Sequence, residues 1–413
     1  MRFERVTTKH GIPLYVLSMP HVMSVASGIL VFAGSRDEKW PQQAGLAHAT
    51  EHMLFQGNSH KPNSLLITEE IEAEGGDLNA WTSSEMTFYH NVVPDFAFAT
   101  SIRSLAHEVT SPLFEESEIR KEMLNILEEF KRSNDSPSRV ASEVFQKIAY
   151  GNHPLSKRTL GIEETVKNFK TEDFLRWQKQ YYHPANYAGI VVGNVTPAQA
   201  LEVFNEHHFG RTGGAPRTLA IDHAHTPPAT KVVEKDIEQA NICLGTTIGP
   251  GRDPQSKALE IYSTMLSGGM SFPLFQEVRD KRGLCYAIRS DITRWSDRGI
   301  FEVYVGTDKN RITEAVDCIK DVVWKCKDDE QLFEKAKKAS LGGLCVGFNS
   351  PGGIIGNAAA EIIFSGAPKT PEEMRKEIES IQFSDVTKAV EQYLNPEKFS
   401  YALVVPKGTV VKL

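Results

Sequence analysis

The chain has 413 residues, of which 40% are hydrophobic and 24% are charged. Because a single hydrophobic core rarely grows beyond about 250 to 300 residues, this length predicts at least two domains. The composition excludes a disordered chain, and the formal net charge of -7 offers no basic field that would favour a nucleic acid as partner.

The first half begins with strands and continues with helices. Residues 11–17 and 22–32 are rich in apolar and β-branched residues, which predicts two strands. A helix predicted over residues 65–76 ends in two glycines. A strand pair, turning at two serines, is predicted within residues 77–93.

The strongest chemical signal is the sequence His-Ala-Thr-Glu-His at residues 48–52. On a helix, with about 100° per residue, His48 and His52 lie one turn apart on one face, and Glu51 lies beside them. Two neutral imidazoles at this spacing can share a zinc ion, and the carboxylate can take a proton from metal-bound water. The alternative is a core helix whose histidines form local hydrogen bonds.

A catalytic zinc site needs a third protein ligand, and a helix predicted over residues 115–130 supplies candidates. Its apolar stripe consists of Ile119, Met123, Ile126, Leu127 and Phe130. Glu122 and Glu129 lie two turns apart on one flank of this stripe, whereas Glu128 points away from it. The helical wheel leaves open which glutamate binds the metal and which orients a ligand, and the alternative for both is a solvated helix edge.

The chain is organised as two similar halves. Proline, glycine and polar residues over residues 211–230 predict a linker between a first domain, residues 1–210, and a second domain, residues 231–413. Three pairs of similar segments repeat at offsets of 208, 214 and 212 residues, matching Gly75 with Gly283, Pro137 with Pro351 and Pro184 with Pro396. We therefore predict an α+β fold of two similar halves, each a sheet with helices packed on one face.

The second half lacks the histidine motif, and its helix near residues 258–268 contains no histidine, so we expect it not to bind zinc. It does contain Arg279 and, seven residues later, Tyr286 at the predicted start of a strand. Taken alone, these residues indicate an exposed arginine on a helix and a tyrosine in the core.

The five cysteines are odd in number and contain no CxxC pair, so they predict neither a disulfide framework nor a thiolate zinc site. The N-terminus lacks a secretory signal pattern, and no run of about 18 apolar residues predicts a membrane span. We expect a cytoplasmic protein that does not bind a membrane. An organellar protein whose targeting segment has been removed would have the same features.

The inverted zinc motif, followed after about 70 residues by a helix rich in glutamate, resembles the pitrilysin, insulysin and mitochondrial processing peptidase family of zinc metallopeptidases. The likeness spans nearly the whole chain and includes residues 75–80, Thr82, Tyr89 and residues 135–137, 153–155 and 182–186. The resemblance implies that Glu129, 77 residues after His52, is the third zinc ligand. It also implies that Glu122 is an accessory acidic residue of the catalytic site.

The same resemblance assigns roles to further residues. Glu51 would act as general base on the zinc-bound water. Asn79 and Ala80 would lie on a strand that binds extended substrate by edge pairing. Arg279 and Tyr286 would donate hydrogen bonds to the substrate backbone or to the developing oxyanion.

Together these features predict a zinc metalloendopeptidase that hydrolyses peptide bonds in extended or unfolded polypeptides. The chain is similar to one half of the long family members, so two subunits are expected to close around a substrate. A homodimer is simpler than a heterodimer, because one chain carries both the zinc motif and the Arg-Tyr pair. Two alternatives stay open: a non-catalytic scaffold or core subunit of the same fold, and a zinc hydrolase with substrates other than peptides.

Overall fold

A computed structural model describes residues 2–211, 213–222 and 226–413. The chain forms two compact units that are interleaved along the sequence. The first unit comprises the residues up to Phe130 together with Lys157–Ala220 and Gly347–Glu372. The second comprises Lys131–Ser156, Ile221–Val346 and the residues from Glu373 onward.

Each half of the chain contains runs of strands followed by runs of helices. The strands are β1 Glu4–Thr7, β2 Pro13–Ser18, β3 Ser24–Val31, β4 Asp77–Thr82, β5 Thr87–Pro94, β6 Tyr187–Gly193, β7 Thr230–Lys235, β8 Ala240–Ile248, β9 Cys285–Arg294, β10 Gly299–Thr307 and β11 Ser400–Pro406. The helices are α1 Leu46–Leu54, α2 Ser64–Glu72, α3 Phe98–Thr110, α4 Glu116–Asn134, α5 Pro137–Tyr150, α6 Glu163–Val166, α7 Thr171–Tyr181, α8 Pro197–Glu206, α9 Pro254–Ser267, α10 Ile312–Lys325, α11 Glu330–Gly347, α12 Pro351–Ser365, α13 Pro371–Ser380 and α14 Phe383–Tyr393. None of the helices in the described part of the chain combines the length and the apolar character needed to cross a membrane.

The sheet of the first unit has the order β1-β2-β6-β3-β5-β4 within the described residues. Strands β2 and β6 are parallel, and the other neighbouring pairs are antiparallel. Strand β4 lies at one edge and pairs with β5, in a register that sets Thr82 opposite Thr87. The edge strand therefore has one side whose backbone groups are not used by the sheet.

Helices cover both faces of this sheet. Strands such as β3 and β6 are apolar on both sides, so both of their faces must be kept from water. One face packs with side chains of α1, α3, α4 and α7 in the largest core of the unit. On the other face, Ile354, Ile355 and Ile362 of α12 pack with Leu17 and Ile190 of the sheet. Helix α12 thus belongs to the first unit although it lies late in the sequence.

The second unit repeats this arrangement. Its sheet has the order β7-β11-β8-β10-β9 within the described residues, with β7 and β11 parallel and the other pairs antiparallel. The strands β2-β6-β3-β5-β4 of the first sheet have the same order and the same relative directions. Side chains of α9, α10 and α14 pack on one face, and Ala141 and Phe145 of α5 pack on the other against Cys243 and Val404.

The predicted α+β class and the duplication are confirmed. The structure adds one helix on the opposite face of each sheet, which the prediction of helices on one face did not include. Because α5 and α12 are the repeated segments that begin at Pro137 and Pro351, each sheet is completed by the helix of the other half of the chain. The predicted domain limits at residues 210 and 231 assign each half of the sequence to one domain. In the structure, Lys131–Ser156 belongs to the second compact unit and Gly347–Glu372 to the first.

The predicted linker, residues 211–230, contains no helix in its described part and joins β7 at Thr230. Residues 212 and 223–225 of this prediction lie outside the described residues.

Candidate metal centre

Helix α1 carries the histidine motif and is fixed in the first unit by its apolar side. Leu46, Ala49, Met53 and Leu54 are buried. The residue directly before the helix is Gly45, whose φ of +94° is a conformation that glycine adopts without strain. A Cβ atom at this position would lie 2.5 Å from the carbonyl oxygen of Leu160, so the close packing of the helix start also requires glycine.

Helix α4 supplies the acidic residues, as its periodicity predicted. Its apolar stripe is buried in the same core as α1, apart from Leu127, which is half-buried. Glu122 is buried and Glu129 is half-buried, whereas Glu128 is exposed. The two glutamates on the flank of the stripe therefore face the histidines, and the third faces away.

The structure brings His48, His52 and Glu129 together. One ligand atom from each of them lies within 4.8 Å of the other two, and no second group of this kind occurs among the described residues. The Nε2 atoms of His48 and His52 are 3.2 Å apart. The Glu129 carboxylate oxygens lie 3.6 Å from Nε2 of His48 and 4.0 Å from Nε2 of His52.

The separation of the two histidine nitrogens fits a shared zinc ion. Ligand atoms about 2.0 to 2.1 Å from a tetrahedral zinc are about 3.3 Å apart, which is close to the distance between the two Nε2 atoms. Two imidazoles and a carboxylate are also a donor set that zinc prefers. The three residues predicted as metal ligands therefore have donor types that could hold a zinc ion, and the Glu129 oxygens lie somewhat farther from the two nitrogens than the nitrogens lie from each other.

Hydrogen bonds determine which nitrogen of His52 faces the candidate metal position. Glu122 Oε1 lies 2.8 Å from Nδ1 of His52, and a carboxylate can only accept, so Nδ1 carries the proton. Glu122 is itself held by Asn125, whose Nδ2 donates to Oε2 at 3.0 Å. The lone pair of His52 Nε2 is therefore directed at Glu129 and His48.

The environment perturbs the pKa of each histidine differently. Burial, with a smaller contribution from His52, lowers the pKa of His48 to about 3, so this ring is neutral and able to bind a metal at physiological pH. Burial also lowers the pKa of His52. The hydrogen bond to Glu122 and the charges of Glu51 and Glu129 outweigh burial and raise that pKa above its ordinary value.

Glu51 lies beside the candidate metal ligands in a setting suited to a general base. Burial raises the pKa of its carboxyl, and a hydrogen bond from Thr82 and the charge of His52 lower it by less. The Thr82 hydroxyl donates to Oε2 of Glu51. A carboxylate with a raised pKa holds a proton more readily at neutral pH, as proton transfer to a leaving group requires.

Comparison with known proteins places the chain in a family. Residues 15–163 match the sequence model described as insulinase (peptidase family M16), and residues 168–340 match the one described as peptidase M16 inactive domain. The chain is 30% identical over 412 residues to the uncharacterized zinc protease YmxG of Bacillus subtilis, and the match covers 98% of this chain and 99% of that protein. The chain belongs to peptidase family M16.

Other proteins resemble the chain along its full length. An uncharacterized zinc protease of Mycobacterium leprae is 27% identical over 97% of this chain and 91% of its own. A crystal structure of a peptidase M16 inactive domain from Pseudomonas fluorescens superimposes with a TM-score of 0.91 at 20% identity, covering 100% of both chains. A protease from Helicobacter pylori gives a TM-score of 0.88 at 21% identity, covering 98% of this chain and 99% of its own. The predicted family is therefore confirmed, and the solved structures confirm the fold.

The residues predicted to bind substrate lie on elements with exposed surface. In the first unit of this M16 protein, Asn79 and Ala80 lie on the edge strand β4, where the Asn79 side chain accepts a hydrogen bond from the backbone N–H of Ala80. In the second unit, the Arg279 guanidinium lies 4.6 Å from the ring centres of both Phe275 and Tyr286. Tyr286 is 75% exposed, so it is not the core tyrosine that its sequence alone indicated.

Three residues that contact the candidate M16 site or the start of the helix that carries it were not assigned a role from the sequence. Thr82 binds Glu51, Asn125 binds Glu122, and Glu38 accepts hydrogen bonds from the backbone N–H groups of Gly45 and Ala47 at 2.9 Å each. Asn125 follows Glu122 by three residues on one helix, so helical spacing was a usable signal for it. Thr82 and Glu38 reach the site through tertiary contacts for which the sequence contains no local signal.

Proposed function

We propose that this M16 protein is a zinc metalloendopeptidase that hydrolyses peptide bonds in extended or unfolded polypeptides. The observation that carries the proposal is the convergence of His48, His52 and Glu129 within 4.8 Å, with Glu51 on the helix that carries the two histidines. The name zinc protease, given to relatives along the whole length of the chain, supports the same reaction.

The chain's own residues provide the acid–base chemistry. Bound zinc, held by His48, His52 and Glu129, would lower the pKa of water to about 7 and polarise the substrate carbonyl. Glu51 accepts a proton from the water that attacks the scissile carbonyl, and it then transfers that proton to the leaving amine. Glu122 holds His52 in the tautomer that leaves Nε2 free to bind.

Substrate binding is proposed to use backbone pairing and two further side chains. Strand β4, with Asn79 and Ala80, has a free edge to which an extended peptide can add as a further strand, and main-chain hydrogen bonds of this kind select little for sequence. Arg279 and Tyr286 are hydrogen-bond donors proposed to act on the substrate backbone or on the oxyanion. A homodimer that closes around the substrate and a cytoplasmic location stay predictions of the sequence.

A non-catalytic scaffold is the alternative. The match to an inactive M16 domain covers residues 168–340, which lie outside the histidine motif and the glutamate helix. That match does not include the residues proposed to bind zinc, so it does not by itself favour a scaffold role for the first half.

The test is metal analysis combined with a cleavage assay on a mixed peptide library, for the wild-type protein and Glu51→Gln. We expect the wild type to contain zinc and to cleave peptides. The variant should keep its zinc and lose about 10²- to 10⁴-fold in kcat, since only the proton acceptor is removed. Glu128→Gln, on the exposed face of α4, is the control and should cleave like the wild type.

A protein with neither zinc nor activity would support the scaffold alternative. Cleavage of esters or other non-peptide substrates in place of peptides would support a different hydrolase.

A further inference from the structure

The hydroxyl of Thr82 binds the carboxylate proposed as general base. Thr82 Oγ1 donates to Oε2 of Glu51, while Thr87 Oγ1, which lies 3.4 Å from Thr82 Oγ1, donates its own proton to the carbonyl oxygen of Ala33 at 3.0 Å. Thr87 Oγ1 is thus a second acceptor for the Thr82 proton, but the Glu51 oxygen is closer and, being charged, is the stronger acceptor.

The backbone that carries Thr82 is fixed by its own unit. Thr82 is the last residue of β4, and the turn after it is closed by a 2.8 Å hydrogen bond from Ser83 N–H to the carbonyl of Met86. Ser35 N–H donates to the Ser83 carbonyl at 3.1 Å. Gly34 makes this approach possible, since a Cβ atom there would lie 2.4 Å from the Ser83 oxygen.

A buried ion pair holds the same turn. Arg36 binds Glu85, and both side chains are at most 2% exposed. The Arg36 backbone N–H also donates to the Ser84 carbonyl at 2.9 Å. The hydroxyl of Thr82 is therefore anchored on a rigid hairpin, which is what precise positioning of a reactive group requires.

The hydrogen bond from Thr82 makes the two carboxylate oxygens of Glu51 different. Oε2 is taken by Thr82, and Oε1 has no hydrogen-bond partner among the described residues. One oxygen is thus fixed to the strand and the other is left for a water molecule. Without the hydroxyl, the carboxylate is free to rotate about its terminal torsion, which is a broad one.

We propose that Thr82 is a positioning residue for Glu51, which fixes the carboxylate so that Oε1 faces the water to be deprotonated. This inference rests on the proposed peptidase function. Since Thr82 ends the same edge strand that is proposed to pair with substrate, it also links the orientation of the base to the strand along which the peptide lies.

The test compares Thr82→Val, which keeps the shape and removes the hydroxyl, with Thr82→Ser, which keeps the hydroxyl. Steady-state kinetics would use a quenched fluorescent derivative of the best-cleaved library peptide, with zinc content and melting temperature measured for every variant. Thr68→Val is the matched control, because the Thr68 hydroxyl donates to a helix carbonyl on α2.

We expect Thr82→Val to reduce kcat by about 10- to 100-fold, with KM within about 2-fold of the wild type and zinc content unchanged. Thr82→Ser should stay within about 3-fold of the wild type, since its hydroxyl can still hold the carboxylate. The control should match the wild type.

An equal loss in Thr82→Ser and Thr82→Val would overturn the proposal, because the methyl group and not the hydroxyl would then matter. Unchanged kcat in Thr82→Val, or a loss that follows zinc content, would overturn it as well. If the zinc-loaded wild type is inactive, the proposed function fails and the role of Thr82 fails with it. If the wild type and Thr82→Val are equally active, the proposed role of Thr82 is wrong, while the proposed peptidase function stands.

Discussion

At the scale of single residues, Glu122 and Glu129 lie next to different nitrogens of the His52 imidazole. Glu122 binds Nδ1 of His52, and Glu129 lies on the Nε2 side with His48. The sequence could predict both positions because two turns of one helix set their direction. It could not predict that Thr82 reaches Glu51, since that contact depends on how β4 lies beside α1, and no local periodicity encodes this.

Loss of the Glu122 carboxylate should weaken zinc binding without removing a ligand. In Glu122→Gln the amide can donate where the carboxylate accepted, so His52 loses the partner that fixes its tautomer. We expect the zinc affinity to fall about 10- to 100-fold, measured by competition with a chelator. Glu128→Gln on the same helix should keep the wild-type affinity, and equal losses in both variants would contradict the assignment.

The pH dependence of zinc binding follows from His52. Its pKa is raised above the ordinary value of a histidine, and the added proton goes to Nε2, the nitrogen that would bind the metal. Zinc affinity should therefore fall as the pH falls through this raised pKa, by about 10-fold per pH unit below it. His48, with a pKa of about 3, contributes nothing in this range.

The same chelator titration, repeated at several pH values, measures this effect. In Glu122→Gln the onset should move to lower pH, because the interaction that raises the pKa of His52 is lost. Zinc affinity that stays constant between about pH 5.5 and 8 would contradict this account of the ring.

At the scale of elements, the start of α1 is capped by a residue from outside the helix. Gly45 has no side chain to cap with, and Glu38 accepts hydrogen bonds from Gly45 N–H and Ala47 N–H instead. A carboxylate at a helix N-terminus is also favoured by the helix dipole. The sequence revealed the helix through its spacing but not this cap, because the usual signal is a polar residue directly at the N-cap.

Glu38→Gln should therefore affect both folding and zinc binding. Its amide can accept only one of the two hydrogen bonds, leaving a buried N–H unsatisfied at a cost of about 1 to 3 kcal/mol in the free energy of unfolding. We also expect weaker zinc binding, because α1 carries two of the ligands. Chemical denaturation and chelator competition measure the two effects.

The control for Glu38 is Asp385→Asn, which changes the exposed cap of α14, where Asp385 accepts from Gln382 N–H at 2.9 Å. It should lower stability by less and leave zinc affinity unchanged. Unaltered zinc affinity in Glu38→Gln would show that the cap stabilises α1 without positioning the ligands.

At the scale of the whole molecule, each sheet is completed by a helix from the other half of the sequence. The repeat was visible in the sequence, and so was the similarity between the segments that begin at Pro137 and Pro351. Their exchange was not predictable, because the two helices carry the same kind of apolar face and the sheets offer the same kind of surface. Only tertiary packing decides which sheet each helix covers.

This exchange predicts that the halves cannot fold separately. A fragment ending at residue 222 lacks α12, so Leu17, Leu30 and Ile190 on one face of the first sheet would be exposed to water. We expect it to be insoluble alone and to become soluble when coexpressed with residues 223–413. The measurement is the soluble yield of each fragment, alone and together.

The control for this experiment is the intact chain cleaved after folding at a protease site inserted within residues 213–222, which should stay associated. A first fragment that is soluble, unfolds cooperatively and binds zinc by itself would contradict the exchanged arrangement.

The most direct test of the central claim is the number of zinc ions per chain in protein that has been stripped with a chelator, reloaded and analysed by mass spectrometry of the metal. We expect about one zinc per chain in the wild type and in His60→Ala, a histidine outside the site. We expect less than about 0.1 in His48→Ala and in Glu129→Ala, because each loses one of the three proposed ligands. Stoichiometric zinc in both ligand variants, or none in the wild type, would show that these residues do not form the proposed zinc site.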